Sequence, residues 1–230
     1  MISVIIPTLN EKKNIKTISK KLSKLKIVTE VIFIDDNSND GTYDEIKKLK
    51  NKKKFKVYLR KDKKRDLSKS VFVGIKKAKK NNILVMDCDL QHDTDHIPLM
   101  WKNFNKFKCD IVVGSRFMRK NFSGNFGFFR STISNLAILF INLFHGKKSS
   151  DPLSGFFLCK KKLIIKYKNT FYLNGYKILF DVLYNGVKHI KVYDQSIEFK
   201  KRSFERSKFN FNIIWLFFKQ MLYTKFVVKK

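Results

Sequence analysis

At 230 residues and 43% hydrophobic content, the chain has the material for one large domain with a sizeable core, which excludes a disordered polypeptide. Its 50 Lys and Arg against 19 Asp and Glu leave a net charge of +31, which directs it toward polyanions: nucleic acid, an anionic membrane or a phosphorylated substrate. Lys interleaved with 23 Phe, rather than with Gly or Ser, favours a membrane surface over a disordered nucleic-acid tail.

Ile2 to Pro7 is a short apolar strand, and Thr8-Leu9-Asn10-Glu11 is a loop in which Asn10 is placed to cap a helix running to about Leu25. Glu30 to Asp36 reads as a second strand ending in two acids. Asn37-Ser38-Asn39-Asp40-Gly41 is a turn, after which Asp40 or Thr42 starts a Lys-rich helix. Phe55 to Arg60 is a third strand, and Asp66 to Lys80 a helix with Leu67, Val71, Ile75 and Ala78 on one face. Ile83-Leu84-Val85-Met86 is an unbroken apolar run of the kind found in buried parallel strands. It leads into Asp87-Cys88-Asp89-Leu90-Gln91-His92. A helix is expected near Asp95 to Phe107, and a fifth strand over Asp110 to Ser115.

This alternation argues for an α/β fold with a mostly parallel sheet and right-handed crossovers. Such sheets bind ligands at the carboxyl ends of their strands. The polar residues gather there: Thr8 and Glu11, Asp35 and Asp36, Asp87 and Asp89, Ser115 and Arg116. Asp87 and Asp89 are two apart and share a face of an extended chain. With the Gln91 carbonyl they form an oxygen site of the type Mg²⁺ or Mn²⁺ prefers, with room for water and a substrate phosphate. The plainer alternative is a polar loop whose acids cap a helix. Asp35 has the simple reading of capping its turn, and His92 that of packing in a loop.

After Arg116 the texture changes. Phe122 to Phe129 holds four Phe and two Gly, and Arg130 to His145 is an apolar helix. Asp151-Pro152-Leu153-Ser154-Gly155-Phe156 is a compact turn before an apolar strand. Gly175 to Leu183 suggests a helix bearing Lys177 and Asp181, His189 to Phe199 a last strand, and Phe209 to Lys230 an aromatic helix punctuated by Lys. The Phe126 to Phe144 stripe is either core or an amphipathic helix lying in a membrane. The C-terminal helix, with Trp215 and Tyr223, has the same two readings. No stretch reaches the roughly 18 unbroken apolar residues of a membrane span, and no signal peptide precedes the first strand. Cys88, Cys109 and Cys159 have no paired spacing and read as buried thiols of a reducing compartment, not as a disulfide frame or zinc site.

In chain order, Ile5-Ile6-Pro7-Thr8-Leu9-Asn10-Glu11, Ile34-Asp35-Asp36-Asn37-Ser38, Asp40-Gly41-Thr42, Asp87-Cys88-Asp89-Leu90-Gln91-His92, Gly114-Ser115-Arg116, Asp151 to Phe156, and Arg202 with Ser207-Lys208 form a recognisable series. The series resembles glycosyltransferase family 2 and, within it, the polyprenol-phosphate sugar synthases of the dolichol-phosphate mannose type. The resemblance implies a GT-A (Rossmann-like) domain over residues 1–208, an amphipathic membrane-facing segment near 122–145, and a C-terminal amphipathic helix over 209–230. It implies a nucleotide-sugar donor, GDP-mannose or a UDP-hexose, held at its nucleoside by Pro7, Asn10, Glu11 and Asp36. Asp87, Asp89 and Gln91 would hold a divalent metal, Mg²⁺ or Mn²⁺, on the donor diphosphate, with Lys177 and Arg202 on its phosphates. Asp89, Arg116 and Arg130 would be the residues at the reacting centre, with Arg116, Arg130 and Ser134 gripping the phosphate of a polyprenyl monophosphate acceptor. The implied location is the cytoplasmic face of a membrane, bound peripherally or through a small membrane partner protein. Two departures stand out: Arg65-Asp66-Leu67 where the family has a Gly-Leu pair, and Asp93 where it often has Pro. Transfer to a saccharide hydroxyl is the alternative within the family, and a basic nucleic-acid-binding module the alternative outside it. No nucleic-acid motif supports the latter.

Overall fold

The computed structural model describes residues 1–62, 64–118, 128–175, 177–186, 189–200 and 211–228, with side chains at 128–132 and 211–213 left aside. The elements are β1 (Ile2–Thr8), α1 (Lys12–Ser23), β2 (Val28–Asp35), α2 (Thr42–Lys47), β3 (Phe55–Leu59), α3 (Leu67–Lys77), β4 (Asn82–Val85), α4 (His96–Lys106) and β5 (Ile111–Ser115). They continue with α5 (Phe128–His145), β6 (Phe157–Lys160), α6 (Lys161–Lys166), α7 (Ile178–Tyr184), β7 (Val192–Ser196) and α8 (Phe211–Tyr223). The strands form one sheet in the order β3-β2-β1-β4-β6-β5-β7. All pairings are parallel except those of β6, which runs antiparallel to both β4 and β5. The apolar run Phe156 to Cys159 marked a strand but carried no sign of its direction. Its antiparallel setting brings the turn before it to the same sheet edge as the ends of β4 and β5.

The strands are apolar on both faces because both are covered, and the two-residue alternation sorts the side chains between two cores. Ile2, Val4 and Ile6 pack with Ile15, Ile18 and Leu22 of α1, Ile46 of α2 and Ile97, Met100 and Phe104 of α4. Ile5, Ile32 and Ile34 face the other way, toward Val71 and Ile75 of α3, and the same core continues to Ile141 of α5, Leu179, Phe180 and Leu183 of α7 and Met221 of α8. Helix α3 presses so closely that a Cβ on Gly74 would lie 2.5 Å from the Ile5 side chain.

The sheet order reverses between β1 and β4, and Pro7 shapes that crevice. Ile5 O accepts from Met86 N toward β4, whereas Thr8 O accepts from Asp36 N toward β2. Pro7 therefore faces β4, but has no N–H, and pairing with β4 ends at Ile5 and Val85. The two strands part just where the acid loop after β4 begins.

Helix α7 is buried along its whole length, Asp181 included. The Asp181 carboxylate accepts from Leu173 N (3.3 Å) and Asn185 Nδ2 (2.9 Å). Burial nevertheless outweighs these bonds and lifts its pKa from 3.8 to about 6. An acid with a raised folded pKa takes up its proton in the native state first, so it adds stability as pH falls through that window. The expected outcome is that the stability gap between wild type and Asp181→Asn shifts toward the wild type between pH 7 and pH 4, by on the order of 3 kcal/mol. Paired thermal melts across that range check it, and parallel pH profiles would remove the assignment.

Candidate functional site

The site forms at the β1/β4 crevice, where the strand order reverses. The loops after β1 and β2 are knitted to one another. Glu11 N donates to Thr42 Oγ1 (2.8 Å), Lys12 N to Asp40 Oδ2 (3.1 Å), Asn10 N to Ser38 Oγ (2.8 Å) and Asn39 N to Asn10 Oδ1 (3.1 Å). This corrects the expectation that Asn10 caps α1. Asn10 sits at φ +54°, a left-handed conformation that Asn tolerates, and its side chain holds the neighbouring loop, while the first turn of α1 is served by Asp40. Asp40 has its pKa lowered: burial works against the charge, and the Thr42 and Lys12 bonds outweigh it. Asp35 is fully buried and accepts from Ser38 N and Ser38 Oγ, the turn-capping role read from sequence.

Asp36 is buried at the end of β2 and pairs with Arg60, Oδ1 to Nη2 at 2.5 Å. Its Oδ2 accepts the backbone N–H of Asp66 at 2.7 Å. Arg60 is also buried and donates through Nε to Ser70 Oγ. Burial opposes its charge, but Asp36 and Asp62 more than reverse that and raise its pKa. A cation closing β3 beside an acid closing β2 is the sequence signal for this pair.

After β4 the chain turns sharply. Leu90 has φ +65°, unusual for Leu, and Gln91 N donates to Asp89 Oδ1 (3.1 Å). Gln91 is anchored in turn by Lys200: its Nε2 donates to Lys200 O, and its own carbonyl accepts Lys200 N. Asp89 is buried, whereas the Asp87 side chain is 39% exposed. His92 is the packing residue that the sequence suggested. It stacks on Phe156 with centroids 5.0 Å apart, meets Phe199 edge-on, and accepts Asp87 N at Nδ1. Burial lowers its pKa despite Asp87 and Asp89, which keeps the ring neutral and able to accept.

The donor set of Asp87, Asp89 and Gln91 is all oxygen, as a hard divalent cation requires. Among the described residues no group of three or more His, Cys, Asp or Glu converges on a metal. Two carboxylates and an amide fit an ion that keeps water and substrate phosphate in its shell, the habit of Mg²⁺ and Mn²⁺ at nucleotide sites.

The turn 151–156 ties these parts together. Asp151, fully buried, takes the Arg116 guanidinium in a fork, Nε to Oδ2 at 2.7 Å and Nη2 to Oδ1 at 2.8 Å, and accepts Arg116 N as well. Burial disfavours the Arg116 charge, but Asp151 outweighs it and the pKa rises. Arg116 also lies over the rings of Phe117 and Phe199. Ser154 Oγ donates to Gly114 O, and Leu153 O accepts Lys177 Nζ at 3.1 Å. Gly155 lies against Asp87. The structure thus brings Asp87, Arg116 and Lys177 onto one turn. Ser134 is half-buried on α5. The side chain of Arg130, Arg202 and the Ser207-Lys208 pair lie outside the described residues.

Residues 3–168 match the family model described as Glycosyl transferase family 2. The dolichol-phosphate mannosyltransferase of Pyrococcus furiosus is 34% identical over 213 residues, 90% of this chain and 58% of that protein. The dolichol-phosphate mannosyltransferase of Saccharomyces cerevisiae is 30% identical over 168 residues, 70% of this chain and 61% of that protein. The chain thus spans about three fifths of the length of these relatives. Among solved structures, glucosyl-3-phosphoglycerate synthase from Mycobacterium tuberculosis, in complex with Mn²⁺, UDP-glucose and phosphoglyceric acid, superposes with a TM-score of 0.72 at 16% identity. That match covers 97% of this chain and 78% of that one, and the shared fold is GT-A.

A Cβ at position 155 would stand 2.8 Å from Asp87 Oδ2. Only a carboxylate tip has to yield, so Gly155→Ala should fold but swing Asp87 aside. The expected result is a thermal midpoint within a few degrees of wild type, with affinity for Mn²⁺-nucleotide lowered about tenfold or more. Calorimetric titration with Mn²⁺-GDP and Mn²⁺-UDP checks it, and wild-type affinity would show that Asp87 is not held against the turn.

Proposed function

The chain belongs to glycosyl transferase family 2, and we propose that it transfers a hexose, most simply mannose from GDP-mannose, to a polyprenyl monophosphate with inversion at a membrane surface. The observation that carries this reading is the acid loop Asp87–Gln91 at the β1/β4 crevice, sharing a turn with Lys177 and Arg116. Pro7, Asn10, Glu11 and Asp36 line the nucleoside side in this reading. Asp36 Oδ1 is enclosed against Arg60, which leaves Oδ2, the acceptor of Asp66 N, for a ribose hydroxyl or base N–H in this reading. Asp87, Asp89 and Gln91 would hold Mg²⁺ or Mn²⁺ on the donor diphosphate. When bound, the ion offsets charge growing on the departing nucleoside diphosphate. Lys177 adds its charge to the same group, and Arg202 is proposed beside it.

Arg116, Arg130 and Ser134 are proposed to hold the acceptor phosphate. Asp151 orients the Arg116 fork by two of its donors. A phosphate monoester with a second pKa of roughly 6 is already an anionic nucleophile at neutral pH, so no protein base is required. Its oxygen forms a bond to the anomeric carbon as the bond to the nucleoside diphosphate breaks. Positioning and neutralisation of charge then supply the catalysis.

The membrane part of the reading rests on α5 and α8. Leu136, Leu139, Phe140, Leu143 and Phe144 are exposed along one face of α5, and Trp215, Phe218 and Leu222 on α8. Lys225 Nζ, just beyond α8, donates to Phe144 O and joins the two. Among the described residues no helix is long and apolar enough to cross a membrane. A surface helix that stays apolar on its outer face suits the headgroup boundary.

Two measurements test the proposal. Incubation with polyprenyl phosphate, Mn²⁺ or Mg²⁺ and each radiolabelled nucleotide sugar should give organic-phase label from one donor. EDTA should abolish it, and Asp89→Ala should lower it by about 100-fold or more. Nucleotide-sugar binding without lipid-linked label would move the acceptor to a sugar hydroxyl. Separately, the protein should float with anionic liposomes, and Leu139→Asp with Leu143→Asp should leave it in the pellet fraction. Flotation unaffected by those changes would detach the membrane reading from α5.

A further inference from the structure

We infer that Asp66 is a positioning residue that couples the nucleoside end of the donor site to its phosphate end, by holding the loop that carries Lys177 against the ends of β2 and β3. The inference rests on the donor site proposed above. Asp66 is buried at the start of α3, where Oδ1 accepts Lys69 N at 3.0 Å. That bond is an ordinary helix N-cap, which Ser, Thr or Asn would make equally well. The other contacts are not needed for a cap. Oδ2 accepts Gly175 N at 2.7 Å, from a loop 109 positions along the chain, and Asp66 N donates to Asp36 Oδ2 at 2.7 Å.

Gly175 is held from both sides, because its carbonyl also accepts Ser68 N at 2.9 Å. Its φ of +122° is one that only glycine adopts readily, so its amide is aimed at Asp66 by a turn other residues resist. Two residues on, Lys177 is fixed at both ends: Nζ reaches Leu153 O in the turn beside Asp87, and its carbonyl accepts Gln220 Nε2 of α8. A polar path therefore runs Arg60–Asp36–Asp66–Gly175, which ends two positions before Lys177 in the chain. Where the resembled family has the Gly of a Gly-Leu pair, this chain has a carboxylate, which adds a second tie to Gly175 beside the backbone bond from Ser68 N. Asp36 and the Gly175 end of the loop that leads to Lys177 are thus tied to the same residue, which suits a ligand with a nucleoside at one end and phosphates at the other.

The test separates the cap from the coupling. Asp66→Ser keeps an N-cap acceptor and loses the reach to Gly175. Its thermal midpoint should stay near that of wild type, while the KM for the donor, and the dissociation constant for Mn²⁺-GDP or Mn²⁺-UDP, rise about tenfold. The kcat and the KM for polyprenyl phosphate should change less than threefold. In a Lys177→Ala background the same substitution should have almost no further effect, because both act through one contact. Should Asp66→Ser lose the fold, Asp66→Asn, isosteric and with one acceptor oxygen, carries the same comparison. An unchanged donor KM, or an equal rise in both backgrounds, overturns the coupling. Wild-type protein with no Mn²⁺-dependent affinity for GDP or UDP overturns the donor reading and the coupling with it.

Discussion

The arrangement depends on a buried ion pair between Arg116 and Asp151. Two charges removed from water cost several kcal/mol each unless geometry and further bonds compensate. Here the fork is bidentate, and Asp151 also accepts the Arg116 N–H. The pair fixes the turn 151–156 across the end of β5, and the remaining parts are positioned from that turn. Gly155 sets where Asp87 lies, Leu153 gives Lys177 its partner, and Phe156 supplies the face on which His92 stacks. His92 in turn holds the Asp87 backbone. Reversing the direction of β6 relative to its neighbours is what places this turn at the ligand edge rather than at the opposite one.

The charge excess has a structural component as well as a functional one. Several lysines serve as caps for the carboxyl ends of helices other than their own. Lys54 Nζ takes Leu22 O, Ser23 O and Leu25 O at the end of α1, and Lys161 Nζ takes Ala78 O beyond α3. Lys148 does the same for α7 through Leu183 O, and Lys225 for α5 through Phe144 O. Each supplies a cation and a donor where carbonyls lack partners and the helix dipole is negative. Lys in these places accumulates positive charge without any polyanion being involved, which weakens the inference from net charge to nucleic acid.

Much of this was legible in the residues. The apolar runs at Ile2, Glu30 and Ile83 located strands, and the acids that close them lie at the carboxyl edge of the sheet, as expected for an α/β fold. The limits are equally physical. Periodicity reports which side chains are apolar, not which way a strand runs, so the reversal of β6 was invisible. A residue's partner is invisible too when it comes from another element. Asn10 had the right chemistry for a cap and the right place before α1, yet the Asn39 amide competes for it and Asp40 reaches α1 from the next loop. Arg60 and Asp66 were passed over or taken only as a departure from pattern, since pairing to Asp36 is a property of parallel strand ends meeting in space.

Asp35, Asp40 and Asp181 are acids that the fold consumes internally, each answered by hydrogen-bond donors. The Asp87 side chain is 39% exposed, although Asp89 beside it is buried and fixed by the Gln91 amide. One carboxylate is thus immobilised while its neighbour stays accessible to solvent. Asp87 and Asp89 would hold a divalent cation in the proposed site, and the Asp87 carboxylate lies against Gly155. Preorganisation of this kind would serve the proposed transfer between two anionic groups, because a site that stays fixed while charge moves adds no reorganisation to the barrier.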